Sequence, residues 1–158
     1  MLTVKKAATK CPGQDVKLPK RLYKKGTMKL ITRDTDYAVR ALCFIAGNSK
    51  KIVAVPELVK ETKIPRPFLR KILQKLHKNG VLRAYKGKGG GFELALAPQK
   101  IMLVDLVKIF QGPFSLNECI FKKKVCPGRN ACVLKSKIDN IERQVIRELS
   151  NIALSSLM

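Results

Sequence analysis

The sequence predicts a mostly helical protein with one small β-hairpin, in which a helix-turn-helix and the hairpin come first and a long helix follows. Two short helical patterns joined by a tight turn lie within residues 55–79. Two short apolar stretches separated by a glycine-rich segment come next and predict the hairpin. Residues 134–152 carry an apolar stripe at nearly heptad spacing, which predicts the long helix.

The helix-turn-helix prediction begins with a first helix that starts at Thr35 and ends near Gly47, because apolar residues recur there at helical spacing. A second, shorter helix is predicted over residues 55–62, with a proline near its first turn. Residues 63–65 form a tight turn, and a third helix follows over residues 66–79. Two short helices joined in this way are typical of a helix-turn-helix.

The third helix has two chemically different faces. Its apolar side is predicted to be buried and consists of Phe68, Leu69, Ile72, Leu73 and Leu76. Its opposite side is polar and basic and consists of Arg66, Arg70, Lys71, Gln74, His77 and Lys78. Because residues 63–92 contain no acidic side chain, this face favours contact with DNA over a solvated surface, which would usually mix both charges. His77, the only histidine, is expected to contact phosphate or solvent rather than a metal.

The hairpin is predicted from a strand at residues 81–85 and a partner strand at residues 91–96. Glycines in the intervening loop allow a tight hairpin, and Lys86 and Lys88 bring positive charge to its tip. A glycine-rich loop could instead hold a nucleotide phosphate, but no Walker lysine–serine pair follows and the loop does not open a helix. The sequence therefore predicts a basic wing and, with it, a winged helix-turn-helix domain over residues 28–112.

The chain is strongly basic, with 33 Lys and Arg against 11 Asp and Glu and a net charge of +22. Residues 1–27 hold eight basic residues and one acidic residue, and residues 28–158 hold the other 25 and 10. The first segment is predicted to be a disordered basic tail, or else translation starts at Met28 and the upstream residues are mis-called. Such a charge favours a polyanionic partner, with nucleic acid first and an anionic membrane surface second.

Composition and motifs also exclude several classes of protein. No apolar run is long enough for a membrane span, and no signal peptide is evident, so a cytoplasmic location with reduced thiols is expected. No nucleophile–base pair and no paired acids suggest catalysis, so neither an enzyme nor a small-molecule substrate is expected. Of the five cysteines, Cys11 lies in the tail and Cys43 is predicted to be a small core residue.

The other three cysteines, Cys119, Cys126 and Cys132, lie in a predicted loop over residues 113–133. Neighbouring lysines and an arginine favour thiolates, and closely spaced thiolates can converge on a soft metal centre. Zinc usually needs paired CxxC motifs and four ligands, and none of these motifs occurs here. Iron–sulfur clusters also prefer four ligands but accept a non-cysteine ligand. An iron–sulfur cluster, zinc, and a redox switch without metal all remain open from these residues.

A short helix is predicted over residues 102–110, and a dimerisation helix is predicted over residues 134–158. The apolar stripe of the last helix steps by three and four residues through Leu134, Ile138, Ile141, Val145, Leu149 and Ile152. Packing against the same helix of a second subunit would make the protein a homodimer. The alternative is that this helix folds onto its own domain.

Taken together, these pieces resemble the IscR/NsrR-type family of winged-helix, iron–sulfur-dependent transcriptional regulators. The resemblance extends from Met28 to about Leu154. Its specific parts are the sequence DYAVRAL at residues 36–42, the third helix, the sequence KGKGGGF at residues 86–92, and the three loop cysteines. The wing and the cysteine motif are specific in combination, whereas either one alone would be weak.

The resemblance implies a homodimer that binds operator DNA and holds a cluster, [2Fe–2S] by default and [4Fe–4S] as the alternative. It carries Cys119, Cys126 and Cys132 over as ligands. The family's biogenesis regulators take a fourth ligand from a histidine where this chain has Lys135. The nitric-oxide-sensing branch takes a carboxylate from the partner, which here implies Asp36, with Asp34 as a rival and a helix N-cap role as the alternative.

For DNA contact, the resemblance and the basic faces together indicate the start of the third helix and the tip of the wing. The expected residues are Arg66, Pro67, Phe68, Arg70, Lys71, Gln74, Lys86, Lys88 and Gly89. Arg70 replaces a glutamate that directs site choice in the biogenesis regulators, and Lys86 stands where arginine is usual. The sequence thus predicts a repressor controlled by a cluster that senses iron–sulfur status, redox state or nitric oxide. The alternative is a cluster-free regulator that responds through thiol oxidation or a partner protein.

Overall fold

The computed structural model describes residues 29–48, 52–116 and 132–158. In these residues the α-helices, in chain order, are α1 (Arg33–Gly47), α2 (Val55–Thr62), α3 (Arg66–Lys78), α4 (Leu103–Gln111) and α5 (Val133–Asn151). Two strands, β1 (Leu82–Tyr85) and β2 (Gly91–Leu94), pair antiparallel as a hairpin. None of these helices is long and apolar enough to cross a membrane.

The predicted fold class is confirmed, and the differences lie at the ends of elements. Helix α1 begins at Arg33, two residues before the predicted start, and carries Asp34 and Asp36 in its first turn. Carboxylates there interact favourably with the partial positive charge of a helix N-terminus. Strand β2 ends at Leu94 rather than at residue 96, because the chain bends there towards a short 3-10 turn at Pro98–Lys100.

The core lies where α1, α2 and α3 meet one face of the hairpin. Its apolar side chains follow the helical and strand periodicities of the sequence, as expected for elements buried on one side. The buried members include Leu42, Leu58, Leu69, Leu73, Leu76, Leu82 and Leu106. Because α1 packs against both α3 and α4, it connects the helix-turn-helix to the C-terminal part of the chain.

A third backbone segment joins the hairpin and fixes it to the core. Val53 and Phe92 form an isolated antiparallel bridge, in which each amide donates to the other carbonyl at 2.9 Å. Gly91 makes this approach possible, because a Cβ atom at this position would lie 2.3 Å from the carbonyl oxygen of Val53. The wing is therefore attached through backbone atoms as well as through its apolar side chains.

The turn between α2 and α3 depends on a left-handed residue. Lys63 ends α2 with φ 55°, and its amide donates to the Val59 carbonyl at 3.0 Å. Ile64 follows at once and is buried in the core. A lysine in this conformation has its Cβ close to the following carbonyl, which glycine avoids.

Replacement of Lys63 by glycine is therefore expected to raise the free energy of unfolding by roughly 1 kcal/mol, since the left-handed strain outweighs the extra chain entropy. The matched control is Lys60→Gly inside α2, which should lower it by a similar amount because glycine is a poor helix former. Urea unfolding of the two variants measures both values. A loss of stability in Lys63→Gly would contradict this account of the turn.

The C-terminal residues are built into the same core. The amide of Leu103 donates to the Ile152 carbonyl at 2.9 Å, and the amide of Leu154 donates to the Ile101 carbonyl at 2.8 Å. Leu154 is buried with the residues of α1 and α3, while Leu149 packs with Leu103 in a smaller cluster. The end of α5 is thus held by the N-terminal part of the chain.

Candidate functional site

Helix α3 presents a polar and basic surface beside its buried face. Leu69, Ile72, Leu73 and Leu76 are buried, as predicted. The side chains predicted to contact DNA are all exposed on this helix, namely Arg66, Pro67, Phe68, Arg70, Lys71 and Gln74. A helix anchored on one side and exposed along the other is suited to enter a DNA groove.

Phe68 is the residue whose environment the helical periodicity predicted wrongly. It was placed on the apolar face, yet 54% of its side chain is exposed. The reason is its angular position, since Phe68 lies 100° from Leu69, at the edge of the buried face in the first turn of α3. Its predicted place among the DNA-contacting residues is compatible with this exposure.

The wing projects as a short loop whose backbone requires glycine. Gly87 and Gly89 have φ values of 97° and 83°, which side chains rarely adopt. Lys86, Lys88 and Gly89 are all exposed at its tip, as the predicted DNA contact requires. The two lysines can therefore reach a phosphate backbone without the loss of any core contact.

The charged side chains from α3 to the wing loop are all basic. Residues 63–92 contain nine Lys or Arg residues and no Asp or Glu. Helix α5 differs, since Asp139, Glu142 and Glu148 are interspersed with its basic residues. Because a single-sign surface attracts a polyanion more strongly than a mixed surface, α3 and the wing form the candidate nucleic-acid interface among the described residues.

His77 joins the two parts of this interface. Its Nδ1–H donates to the Leu82 carbonyl at 3.0 Å, which ties the last turn of α3 to the start of β1. The sequence predicted a phosphate or solvent contact for this ring, and the hydrogen bond to the backbone was not foreseen. Nδ1 of His77 therefore helps to fix α3 relative to β1, while the residue as a whole is exposed.

Glu93 is a buried acid beneath the wing that the sequence reasoning missed. It is 8% exposed, and the Tyr85 hydroxyl donates to its Oε2 atom at 2.7 Å. The residues lie on opposite strands, so this bond connects the two sides of the hairpin. The available signal was that Glu93 is the only acidic residue between Glu61 and Asp105.

Among the three loop cysteines, Cys119 and Cys126 lie outside the described residues, and Cys132 is described. Cys132 is exposed and is the N-cap of α5, where its Sγ accepts a hydrogen bond from the Lys135 amide at 3.4 Å. A helix N-terminus carries partial positive charge, and the exposed Cys132 sulfur lies at that end of α5. Lys135, the residue at the position of the family's histidine ligand, thus contributes its backbone amide to the Cys132 sulfur.

Cys43 has a different environment. It is half-buried on α1 and packs against the core, and its thiol donates to the Leu157 carbonyl at 3.7 Å. Burial raises the pKa of the Cys43 thiol above its ordinary value and disfavours the reactive thiolate. This agrees with the core role predicted for it.

Asp36 lies in the first turn of α1 and is about half exposed. Its Oδ2 atom accepts a hydrogen bond from Nε of Arg40 at 3.0 Å, one helical turn later. Within the part of the chain that the structure describes, no group of three or more His, Cys, Asp or Glu side chains is positioned to hold a metal. The structure therefore does not bring Asp36 and Cys132 together in such a group.

Gln111, the last residue of α4, clamps the N-terminal end of α1. Its Oε1 atom accepts hydrogen bonds from the Thr32 amide at 2.8 Å and the Thr35 hydroxyl at 2.9 Å. Its Nε2 atom donates to the Leu30 carbonyl at 3.2 Å. One amide thus fixes the turn from which Asp36 projects, and no sequence pattern had indicated this role.

The described residues on either side of positions 117–131 both contact helix α5. The Leu116 amide donates to Oε2 of Glu142 at 3.0 Å, and Cys132 begins the same helix, α5. Glu142 lies ten residues after Cys132, which is about 15 Å along a helix. Leu116 and Cys132, the described residues on either side of positions 117–131, are therefore both attached to α5.

The apolar stripe of α5 divides into two parts. Towards the C-terminal end Leu149 is 4% exposed and packs against α4. Towards the N-terminal end Leu134 is 66% exposed and Ile141 is 52% exposed. The helix thus folds onto its own domain at one end, which was the alternative in the sequence reading, and presents apolar side chains at the other.

Residues 31–158 match the Rrf2 family, which is described as an iron-dependent transcriptional regulator. The chain belongs to the Rrf2 family. It is therefore a transcriptional regulator with a DNA-binding winged helix and is not an enzyme. The predicted resemblance to IscR/NsrR-type regulators is confirmed at the level of the family.

Two sequence relatives illustrate the similarity within the Rrf2 family. A protein of Aquifex aeolicus named as an HTH-type transcriptional regulator is 36% identical over 119 residues, which cover 73% of this chain and 83% of the relative. The HTH-type transcriptional regulator NsrR of Bacillus licheniformis is 32% identical over 108 residues, which cover 68% and 71%.

Solved structures show the same fold at lower identity. CymR (YrzC), the global cysteine regulator of B. subtilis, aligns with a TM-score of 0.66 at 19% identity, covering 82% of this chain and 96% of CymR. T. potens IscR aligns with a TM-score of 0.64 at 19% identity, covering 82% and 86%.

Proposed function

We propose that this Rrf2 protein is a cytoplasmic, homodimeric repressor whose affinity for operator DNA is set by an iron–sulfur cluster. Residues 28–112 act as the DNA-binding domain, residues 113–133 as the cluster-binding loop and residues 134–158 as the dimerisation helix. The observation that carries the proposal is the exposed, acid-free basic surface of α3 and the wing, on a chain that also holds three closely spaced cysteines.

The DNA-binding residues follow from position and charge. We assign Arg66, Arg70 and Gln74 of α3 to base edges, since a recognition helix reads DNA mainly with its N-terminal residues. Lys86 and Lys88 of the wing contact phosphates on either side of that groove. In a symmetric dimer the two half-sites lie about one helical turn, roughly 34–36 Å, apart.

The three cysteines are suitable ligands for an iron–sulfur cluster. Cys119, Cys126 and Cys132 provide soft sulfur ligands, and the Cys132 sulfur lies exposed at the N-terminus of α5. Asp36 of the partner subunit is the proposed fourth ligand. When bound, the cluster supplies a centre that reacts with oxidants or nitric oxide; [2Fe–2S] is the default and [4Fe–4S] the alternative.

The hydrogen bonds next to the loop support a coupling between the state of the loop and DNA binding. Two described residues that flank positions 117–131 contact α5, namely Cys132 as its N-cap and Leu116 through its bond to Glu142. Gln111 ends α4 just before the loop and holds the start of α1, which packs against α3. Ordering of the loop therefore biases the position of the recognition helix, which is a coupling between two sites.

Dimerisation has support in the exposed part of the α5 stripe. Leu134 and Ile141 are large apolar side chains that remain more than half exposed. A second copy of α5 would remove them from water. The proposed Asp36 ligand requires that this contact also bring the loop of one subunit close to α1 of its partner.

The second candidate is a cluster-free regulator that responds through its thiols or a partner protein. It is favoured by the structural similarity to CymR, whose name gives it the role of a global cysteine regulator. The exposed Cys132 would serve such a mechanism as well, because an accessible cysteine can be oxidised reversibly.

Anaerobic purification of the full chain separates these candidates. We expect a coloured protein that contains iron and sulfide and loses both in the Cys126→Ala variant. The matched control is Cys43→Ala, which removes a core thiol and should keep the colour. Absorption spectra and iron and sulfide counts are the measurements. A colourless wild-type chain that still binds operator DNA would establish the cluster-free candidate.

The fourth ligand has its own test. Asp36→Ala should make the cluster decay faster under air by about tenfold or more, because even loss of a residue that only supports a ligand weakens metal sites by that factor. Asp34→Ala removes the rival acid in the same helical turn and is the matched control, so it should leave the decay unchanged. Unchanged decay in Asp36→Ala would remove this residue from the ligand set.

A further inference from the structure

The first turn of the recognition helix exposes one large apolar side chain among basic residues. Phe68 is 54% exposed at the third position of α3, next to Pro67 and two residues from both Arg66 and Arg70. Its neighbour one turn later on the same side is Lys71, which is also exposed. Unlike the other phenylalanines that pack on the core, such as Phe92, it leaves much of its ring in water.

A basic side chain further along α3, that of Lys75, is directed towards α4. Lys75 lies two turns after Phe68 on the same side of α3, and its ammonium sits 5.2 Å from the centre of the Phe110 ring on α4. The cation is therefore drawn towards the body of the protein. At the edge of the recognition surface, Phe68 remains as the apolar group that a DNA groove would meet first.

The chemistry of the major groove restricts what such a ring can recognise. Base edges in that groove are hydrogen-bond donors and acceptors, except for the C5-methyl group of thymine. A partly exposed phenylalanine gains from removal of apolar surface from water, and the thymine methyl is the group there that offers apolar surface. The nearby arginines suit guanine and Gln74 suits adenine, so the helix would read three base types.

We propose that Phe68 is a specificity-determining residue that recognises thymine through its methyl group. This inference rests on the proposed DNA-binding role of α3 and adds the base that one position of each half-site requires. The contribution is direct base readout, because a phenylalanine carries no charge and cannot contribute to phosphate contact.

Substitution of thymine by uracil tests this directly, since deoxyuridine lacks only the methyl group. A duplex is first selected by the full wild-type chain from a random pool, and each thymine is then replaced by deoxyuridine in both half-sites. We expect at least one position where this replacement weakens binding by wild type about fourfold for each methyl removed. Phe68→Ala should bind the unsubstituted duplex more weakly and be insensitive to deoxyuridine at that position.

Two variants serve as controls. Lys71→Ala lowers affinity through a neighbouring residue but should keep the full deoxyuridine effect. Phe68→Leu retains an apolar side chain and should retain most of the effect, which also covers the case in which Phe68→Ala folds poorly. Thermal melts of each variant establish that the fold is intact, as expected for a side chain outside the core.

The possible failures are distinguishable. If deoxyuridine weakens wild type and Phe68→Ala equally at every position, or weakens neither, the inference about Phe68 is wrong while operator binding stands. If the wild-type chain enriches no sequence and binds all duplexes alike, the proposed regulator function fails with it.

Discussion

Replacing Gly91 with alanine is expected to lower the free energy of unfolding by about 3 to 5 kcal/mol and the melting temperature by roughly 10 to 20 °C. The added Cβ would lie 2.3 Å from the carbonyl oxygen of Val53 and 3.1 Å from Cα of Ala54. Both contacts involve backbone atoms, which cannot rotate away as a side chain can. The bridge between Val53 and Phe92 must therefore open, with the loss of two hydrogen bonds of 2.9 Å.

Two glycine controls separate the steric cause from other effects of alanine. Gly47→Ala at the end of α1 meets no atom within 4 Å and should change stability by less than about 1 kcal/mol, in the stabilising direction. A Cβ at Gly87 also meets no atom within 4 Å, but the residue has a φ of 97°. The free energy of unfolding of Gly87→Ala should therefore fall only by the roughly 1 kcal/mol that this backbone strain costs. Circular-dichroism melts measure all three. A Gly91→Ala chain that melts like Gly47→Ala would show that the bridge does not hold the wing.

Removal of the arginines at the start of α3 is expected to have the largest effect on DNA binding. Arg66→Ala and Arg70→Ala should each weaken binding to a selected operator by about tenfold to a hundredfold, the range for loss of a good base contact. An arginine that contacts phosphate instead would weaken all sequences equally and reduce the salt slope by about 0.9. Titrations at several salt concentrations, on operator and on unrelated duplex, distinguish the two roles.

The matched control for these variants is Arg147→Ala. Arg147 is exposed on α5 and carries the same charge, but it lies outside the acid-free surface of α3 and the wing. Its removal should leave affinity and salt slope unchanged within about twofold, because charges beyond a Debye length are screened. Equal losses in all three variants would mean that overall charge, rather than the recognition helix, determines binding.

The helices and the hairpin could be predicted because each is a local pattern. Helix α3 follows from the helical period of Leu69, Ile72, Leu73 and Leu76. A glycine-rich loop between two short apolar stretches is typical of a β-hairpin. The family followed from the order of these patterns together with the three cysteines. In physical terms, these features depend on neighbours within about ten residues of each other.

The features that could not be predicted depend on distant residues. The bridge that requires Gly91 joins Val53 to Phe92 across thirty-nine positions, and a single bridge leaves no periodic pattern in the sequence. Gln111 holds Thr32 and Thr35 through one amide, and any glutamine could have done so. Phe68 fits the apolar period yet lies just beyond the edge of the core. Such contacts depend on how the helices and strands pack against each other. The periodicity within a single helix or strand carries no information about that packing.

The position of Leu154 has a consequence for how a cell makes this protein. Leu154 is buried with residues of α1 and α3, and its amide is bonded to Ile101. The hydrophobic core of the recognition helix is therefore incomplete until residue 154 has been synthesised, after the three cysteines. Chains emerge from the N-terminal end, so a nascent or truncated chain that lacks the cysteine loop also lacks a finished DNA-binding fold. We expect no interval during translation in which this protein could occupy DNA before its cysteine segment has been synthesised.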